Sequence, residues 1–161
     1  MRLHTVEQGT PEWHALRLGV PTASDFDKIL TSVKGDISKQ CHNYAISLLA
    51  ETVTRQNQRE VPYNKWLEHG NVTEAKVADE YERLYGVTLR KIGFITNDAG
   101  TYGASLDRLI EGQKKAVEIK CPKGVTHLKY LLGKEDPVKE YWNQTQGQIF
   151  VSEGEIEEVV K

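Results

Sequence analysis

Tyr102-Gly-Ala-Ser-Leu-Asp107-Arg-Leu-Ile110, then Glu111-Gly112-Gln113-Lys114, then Lys115-Ala-Val-Glu118-Ile-Lys120-Cys121 is the stretch on which the fold turns. The outer two segments read as strands. The Gly-X pair at the centre of their connection is what a two-residue type II′ hairpin requires. A register symmetric about Gly112 and Gln113 sets Asp107 opposite Glu118. Directly opposed residues of an antiparallel pair hold their Cβ atoms ~5 Å apart on one face, near enough for two carboxylates to share a cation. Lys120, two residues past Glu118, joins that face because side chains alternate along a strand.

Two carboxylates held together repel, and the strain is relieved by a raised pKa or by a bound hard cation. A Lys beside a divalent metal can hold or deprotonate a water for attack on phosphorus while the metal offsets charge on the phosphate and the leaving oxygen. Metal-dependent phosphodiester hydrolysis is one reading. On the hairpin alone a surface cross-strand ion pair is the simpler one, so the rest of the chain has to decide.

At 161 residues the chain is expected to form one domain, 1–161, with room for a real core. Hydrophobic content of 39% and charged content of 27% are ordinary for a soluble globular protein. No apolar run approaches the ~20 residues that cross a bilayer, and Met1-Arg-Leu-His-Thr5 lacks the apolar core of a signal peptide, so a cytoplasmic location without membrane contact is expected. Cys41 and Cys121 are the only cysteines and form no C-x-x-C pair, which argues against a zinc ribbon or an iron–sulfur nuclease. A net charge of −2 with scattered basic residues neither supports nor excludes DNA, and counts weakly against a tight, non-specific binder.

Outward from the hairpin, Pro11–Leu18 reads as a short helix. Ser24 followed by Asp27 reads as a capping-box variant opening a second helix through Leu30. A longer helix, 39–54, carries an apolar stripe of Cys41, Tyr44, Ala45, Leu48, Leu49 and Thr52. The next, 64–85, turns Trp66, Val77, Ala78, Tyr81 and Leu84 to one side, with Gly86 as its C-cap. Gly70 inside it suggests a close approach by another element, and Glu74 lies one turn further along that face. On its own Glu74 is a solvated helix charge; with this helix packed across the hairpin it becomes a third acidic group. Strands are expected at 88–96, 102–110, 115–121 and 155–160, and helices at 126–132 and 138–152. This order suits an α/β fold with a central mixed sheet flanked by helices.

Four blocks in one order carry a resemblance. They are Trp13-His-Ala-Leu-Arg17 through Thr22-Ala-Ser24, Gly70 to Glu74, Asp107 with Glu118-Ile-Lys120, and Tyr141 with Gln144 and Gln146. Spanning nearly the whole chain, they resemble the phage lambda exonuclease and YqaJ-type viral recombinase family. The resemblance implies a restriction-endonuclease-like PD-(D/E)xK core that degrades duplex DNA from 5′ ends in phage recombination. By position it implies that Asp107, Glu118 and the Ile119 carbonyl coordinate Mg²⁺, for which Mn²⁺ can substitute. Glu74 would assist through water or a second ion, and Lys120 would orient the attacking water. Arg17 and Ser24 match phosphate-holding residues, as a guanidinium fork and a hydroxyl near a helix N-terminus suit an anion. Gln144 and Gln146 stand in the same phosphate-binding group, although two residues apart on a helix they face different ways and at most one reaches the site.

Partners implied are double-stranded DNA ends, a single-strand annealing protein and two further copies in a trimer, in the cytoplasm of a host cell. The sequence stops at Val159-Val160-Lys161 where the family's prototype continues, so the trimer and processivity are implied less directly than hydrolysis. Trp13 and Trp66 read as core anchors, His69 as structural or exposed, and Cys121 as a small buried residue. A related endonuclease, or a DNA-end-binding recombination module without turnover, are the alternatives.

Overall fold

A computed structural model describes residues 1–32, 34–58 and 65–160, with side chains throughout except at 65–69, 71 and 72. The roles expected of Trp66 and His69 therefore lie outside the described side chains. The order is β1 (Arg2–His4), α1 (Pro11–Arg17), a 3₁₀ helix (Ala23–Lys28), α2 (Cys41–Thr54), α3 (Lys65–Tyr85), β2 (Leu89–Lys91) and β3 (Phe94–Thr96). There follow β4 (Gly103–Ala104), β5 (Arg108–Ile110), β6 (Lys115–Val117), α4 (Gly124–Leu131), α5 (Pro137–Glu140), α6 (Trp142–Val151) and β7 (Glu158–Val160).

The architecture is α/β, but the strands form two sheets where one was expected. An antiparallel sheet runs β1-β3-β4, and a mixed sheet runs β2-β5-β6-β7 with β7 parallel to β6. The two longest strands read from the sequence, 88–96 and 102–110, are each cut in two, one half in each sheet. Side chains take the carbonyls a ladder needs. Gln8 Nε2 donates to the Ile92 and Leu106 carbonyls at 3.4 and 2.9 Å, and Trp13 Nε1 to Gly93 at 3.1 Å. Gln148 Nε2 takes the Ser105 carbonyl at 3.1 Å and Arg108 Nη1 that of Asp107 at 2.7 Å. With three successive carbonyls, 105–107, so engaged, the backbone leaves one sheet and enters the other.

The hairpin keeps its expected register with a different turn. Arg108 pairs Val117 and Leu109 pairs Ala116. The closing bond runs from the Gln113 N–H to the Ile110 carbonyl at 3.2 Å, with Gly112 at φ +72° as the turn's third residue. The tight turn is thus Ile110–Gln113, not a type II′ turn centred on Gly112-Gln113.

Helix positions follow the periodicity, but their buried faces are rotated. On α2 the inward residues are Tyr44 and Glu51, whereas Leu49 is well exposed. On α3 Ala78 is buried while Val77 and Leu84 are exposed. At Gly70 an added Cβ would meet nothing among the described residues, so the close approach expected there is not seen. The segment opening at Ser24 is a 3₁₀ helix N-capped by Thr22 without a side-chain cap bond, so the capping box does not form. The last long helix breaks at Tyr141 into α5 and α6. The core joins Ile92, Ile95, Ala104 and Leu106 from the strand region to Val151 of α6 and Ile156. Among the described residues no helix is long and apolar enough to cross a membrane.

Candidate active site

The ladder of β5 and β6 ends one step short of Asp107 and Glu118, and its register continued by that step sets the two opposite one another. Two other hydrogen bonds close the end instead. Asp107 Oδ2 accepts from the Ile119 N–H at 2.7 Å, and the Glu118 N–H donates to the Val160 carbonyl of β7 at 2.9 Å. The first bond curls residues 118–120 around Asp107, and the second ties Glu118 to the neighbouring strand.

Glu118 is only 4% exposed, and a buried carboxylate has to be paired. Its Oε1 accepts from Lys120 Nζ and Gln144 Nε2, both at 2.6 Å, and its Oε2 accepts from Gln148 Nε2 at 2.6 Å. Lys120 also lies 4.8 Å from the centroid of the Tyr141 ring, a cation–π contact that fixes its direction. Among the described residues the Asp107 carboxylate has a single hydrogen-bond donor, the Ile119 N–H. Burial first, then the charge of Glu118, push its carboxyl up to about 7. Burial is the larger cause and the neighbouring carboxylate the second, and a bound cation would oppose both.

Glu74, reaching in from α3, is engaged by Arg108 Nη1 at 2.7 Å. Among the described residues no group of three or more His, Cys, Asp or Glu is gathered as a metal cluster. The oxygen donors that face one another are Asp107 and Glu118, a hard donor set suited to Mg²⁺-like ions.

Arg17 and Ser24 form a second cluster joined to the first. Arg17 Nη1 donates to Ser105 Oγ at 2.9 Å and Nη2 to Thr22 Oγ1 at 3.5 Å, and the guanidinium carbon sits 4.2 Å from the centroid of Trp13. Thr22 Oγ1 lies 3.2 Å from Ser24 Oγ. Because Gln148 bonds both the Ser105 carbonyl and Glu118, a continuous polar chain runs from Ser24 to the carboxylates. Trp13 is half-buried and serves this cluster as the plane under Arg17, besides packing.

The two glutamines separate as helical geometry requires. Gln144 reaches Glu118, whereas Gln146 lines a hollow of about 500 Å³ with Phe26, Leu30 and Phe150. Gln148, one turn beyond Gln144, is the partner that was missed. Its i, i+4 spacing was the available signal. Arg108 and Ser105 were also missed, since nothing local in the sequence says where α3 and α1 will land. Cys121 is partly buried rather than fully so.

α6 can carry these glutamines so close because of Gly147. A Cβ there would fall 2.5 Å from the Phe26 ring and 3.0 Å from Ala23 Cβ. Only glycine lets the helix rest against the 3₁₀ segment that follows Thr22.

Opposed acid groups at a broken strand end, a Lys two residues on, and flanking helices are the layout of a PD-(D/E)xK nuclease fold. Residues 12–155 match the model of the YqaJ-like viral recombinase domain, and the chain belongs to that family. It is similar to the crystal structure of an alkaline exonuclease, LHK-Exo, from Laribacter hongkongensis, with 27% identity and a TM-score of 0.73 over 89% of this chain and 69% of that one. LHK-Exo in complex with dAMP is similar to the same extent, at 28% identity and a TM-score of 0.73 over 89% and 69%. No curated protein matches the chain.

Proposed function

We propose that this protein is a divalent-metal-dependent deoxyribonuclease that hydrolyses duplex DNA from 5′ ends in phage recombination. The observation that carries the reading is the convergence of Asp107, Glu118 and Lys120 at one strand end, with Asp107 raised to about 7 by burial and by its neighbour. Support for the substrate comes from the family and from the similarity to an alkaline exonuclease.

Asp107, Glu118 and the Ile119 carbonyl would hold Mg²⁺, or Mn²⁺ in its place, and Glu74 would assist through water. The buried Oε1 of Gln148 lacks a donor among the described residues, and a water carried at the Glu118 site can supply one. When bound, the ion offsets the charge that develops on the phosphate and leaving oxygen. Lys120 orients the attacking water through its ammonium hydrogens. The water oxygen bonds to phosphorus as the P–O3′ bond breaks, the water gives up a proton to solvent, the departing O3′ takes one from solvent, and the phosphate stays on the 5′ oxygen of the next nucleotide. Arg17 and Ser24 would receive the phosphate of the DNA end, with Ser105 and Trp13 fixing the guanidinium plane. Gln144 and Gln148 hold Glu118 in place.

The reading extends to double-stranded ends as substrate, a single-strand annealing protein as partner, a homotrimer, action within one domain, 1–161, and the host cytoplasm as location. Purified protein should digest linear duplex DNA with Mg²⁺, and Lys120→Ala or Asp107→Asn should lower the rate by about 10²-fold or more while circular dichroism shows a folded chain. Nicking of closed circular DNA would favour an endonuclease. Tight binding of an unhydrolysed duplex in Mg²⁺ would favour an end-binding module.

A further inference from the structure

Arg108 follows Asp107 directly, and its side chain is almost wholly buried between the hairpin and α3. Nη1 donates to Glu74 Oε1 and to the Asp107 carbonyl, each at 2.7 Å. A guanidinium does not shed its proton in a protein, so a buried one has to stay beside an anion. Glu74 is that anion. The second bond, to backbone of the same hairpin, leaves the guanidinium little freedom to swing away.

The three acidic groups are therefore unequal. Asp107 and Glu118 confront each other; among the described residues the Asp107 carboxylate accepts from no cationic side chain, and the cation on Glu118 is Lys120, whose side chain is 31% exposed where that of Arg108 is 9%. Glu74 is already neutralised by a cation the fold supplies. Two-metal phosphodiesterase sites set their ions ~3.5–4 Å apart with carboxylates shared between them. A dication on Glu74 would meet the fixed positive charge of Arg108 in a weakly screened interior, where like charges are strongly opposed.

We infer that Arg108 takes the place of a second metal ion: its guanidinium neutralises Glu74, and the site accepts one divalent cation, between Asp107 and Glu118, rather than two. This rests on the nuclease reading for the first ion. It also assigns Glu74 a different part from a metal ligand. Through Arg108 it is a positioning residue for the backbone of Asp107.

Counting Mn²⁺ on the full chain tests this, by calorimetry for stoichiometry and electron paramagnetic resonance for the number of neighbouring spins. The wild type should bind one Mn²⁺ per chain and show an isolated-ion spectrum. Arg108→Gln should bind two, with the broadened spectrum of a spin-coupled pair, and adding Glu74→Gln should return the count to one. Glu74→Gln alone should keep one ion, a result that does not depend on Arg108→Gln folding. Two coupled ions in the wild type, loss of the ion in Glu74→Gln, or a folded Arg108→Gln that still binds only one would each overturn the inference. No ion bound by the wild type would instead remove the metal site itself, and the inference with it.

Discussion

Asp107 and Glu118 sit in the same strand end with opposite degrees of support: three side-chain donors converge on Glu118, while Asp107 has a backbone N–H. This asymmetry gives a pH dependence with a definite sign. An Asp in an unfolded chain ionises near pH 4, whereas Asp107 in the metal-free fold holds its proton to about 7. Its contribution to stability is fully present below about pH 4 and is lost as pH rises through about 7, by at most ~4 kcal/mol. In chelator, wild-type protein should therefore lose melting temperature between pH 5 and pH 8 relative to Asp107→Asn, in which that dependence disappears. Metal binding displaces the same proton, so Mg²⁺ or Mn²⁺ affinity should fall by about tenfold per pH unit below 7, with proton release measurable by calorimetry in buffers of different ionisation enthalpy. A pH-independent affinity would contradict the assignment of Asp107. At this scale the sequence showed Asp107, Glu118 and Lys120 plainly, because strand alternation and hairpin symmetry are local rules. Arg108 was hidden because its partner Glu74 arrives from α3, and Gln148 because its partners Ser105 and Glu118 lie far from it in sequence.

Elements were legible in place and less so in orientation. α2 and α3 begin and end close to where periodicity puts them, yet α2 turns Tyr44 and Glu51 inward instead of Leu49. The cause is Glu51, fully buried, whose two oxygens accept the N–H groups of Gly19 and Gln58, each at 3.0 Å. A pattern built on apolar residues cannot anticipate a buried acid that orients a helix. Glu51→Ala should cost about 1–3 kcal/mol by stranding those donors. It should also raise the KM for DNA ends, since Gly19 lies between Arg17 and Ser24; unchanged stability by chemical denaturation would contradict this role. Gly147→Ala sets two effects against each other. Helix propensity favours Ala by ~1 kcal/mol, but the new Cβ meets the Phe26 ring at 2.5 Å, and overpacking of that kind costs about 1–3 kcal/mol. Net destabilisation is expected, with a loss of activity because Gln144 and Gln148 move with α6. A stabilised, fully active Gly147→Ala would show that the helix has room. Strands were misread for a related reason: the 105–107 carbonyls are held by side chains, two of them, Gln8 and Gln148, distant in sequence, with Arg108 holding the third.

In the molecule as a whole, the two sheets part at residues 105–107, where the polar chain from Ser24 through Arg17, Ser105 and Gln148 meets Glu118 and Asp107. The α/β class and family were readable because they depend on the order of four motif blocks. Division into two sheets was not, because it depends on contacts between residues about 40 to 100 positions apart. On the proposed function, the same junction would set the phosphate-receiving Arg17 and Ser24 beside the metal-holding Asp107 and Glu118, as removal of nucleotides from a phosphate-bearing end requires. The most direct measurement is digestion of linear duplex DNA in Mg²⁺, labelled and blocked separately at its 5′ and 3′ ends, beside closed circular DNA. The account predicts mononucleotides bearing 5′-phosphate released from free 5′ ends, protection when those ends are blocked, and an intact circle. Protein inert on every end with every divalent metal, or cutting the circle as readily as the linear form, would contradict it.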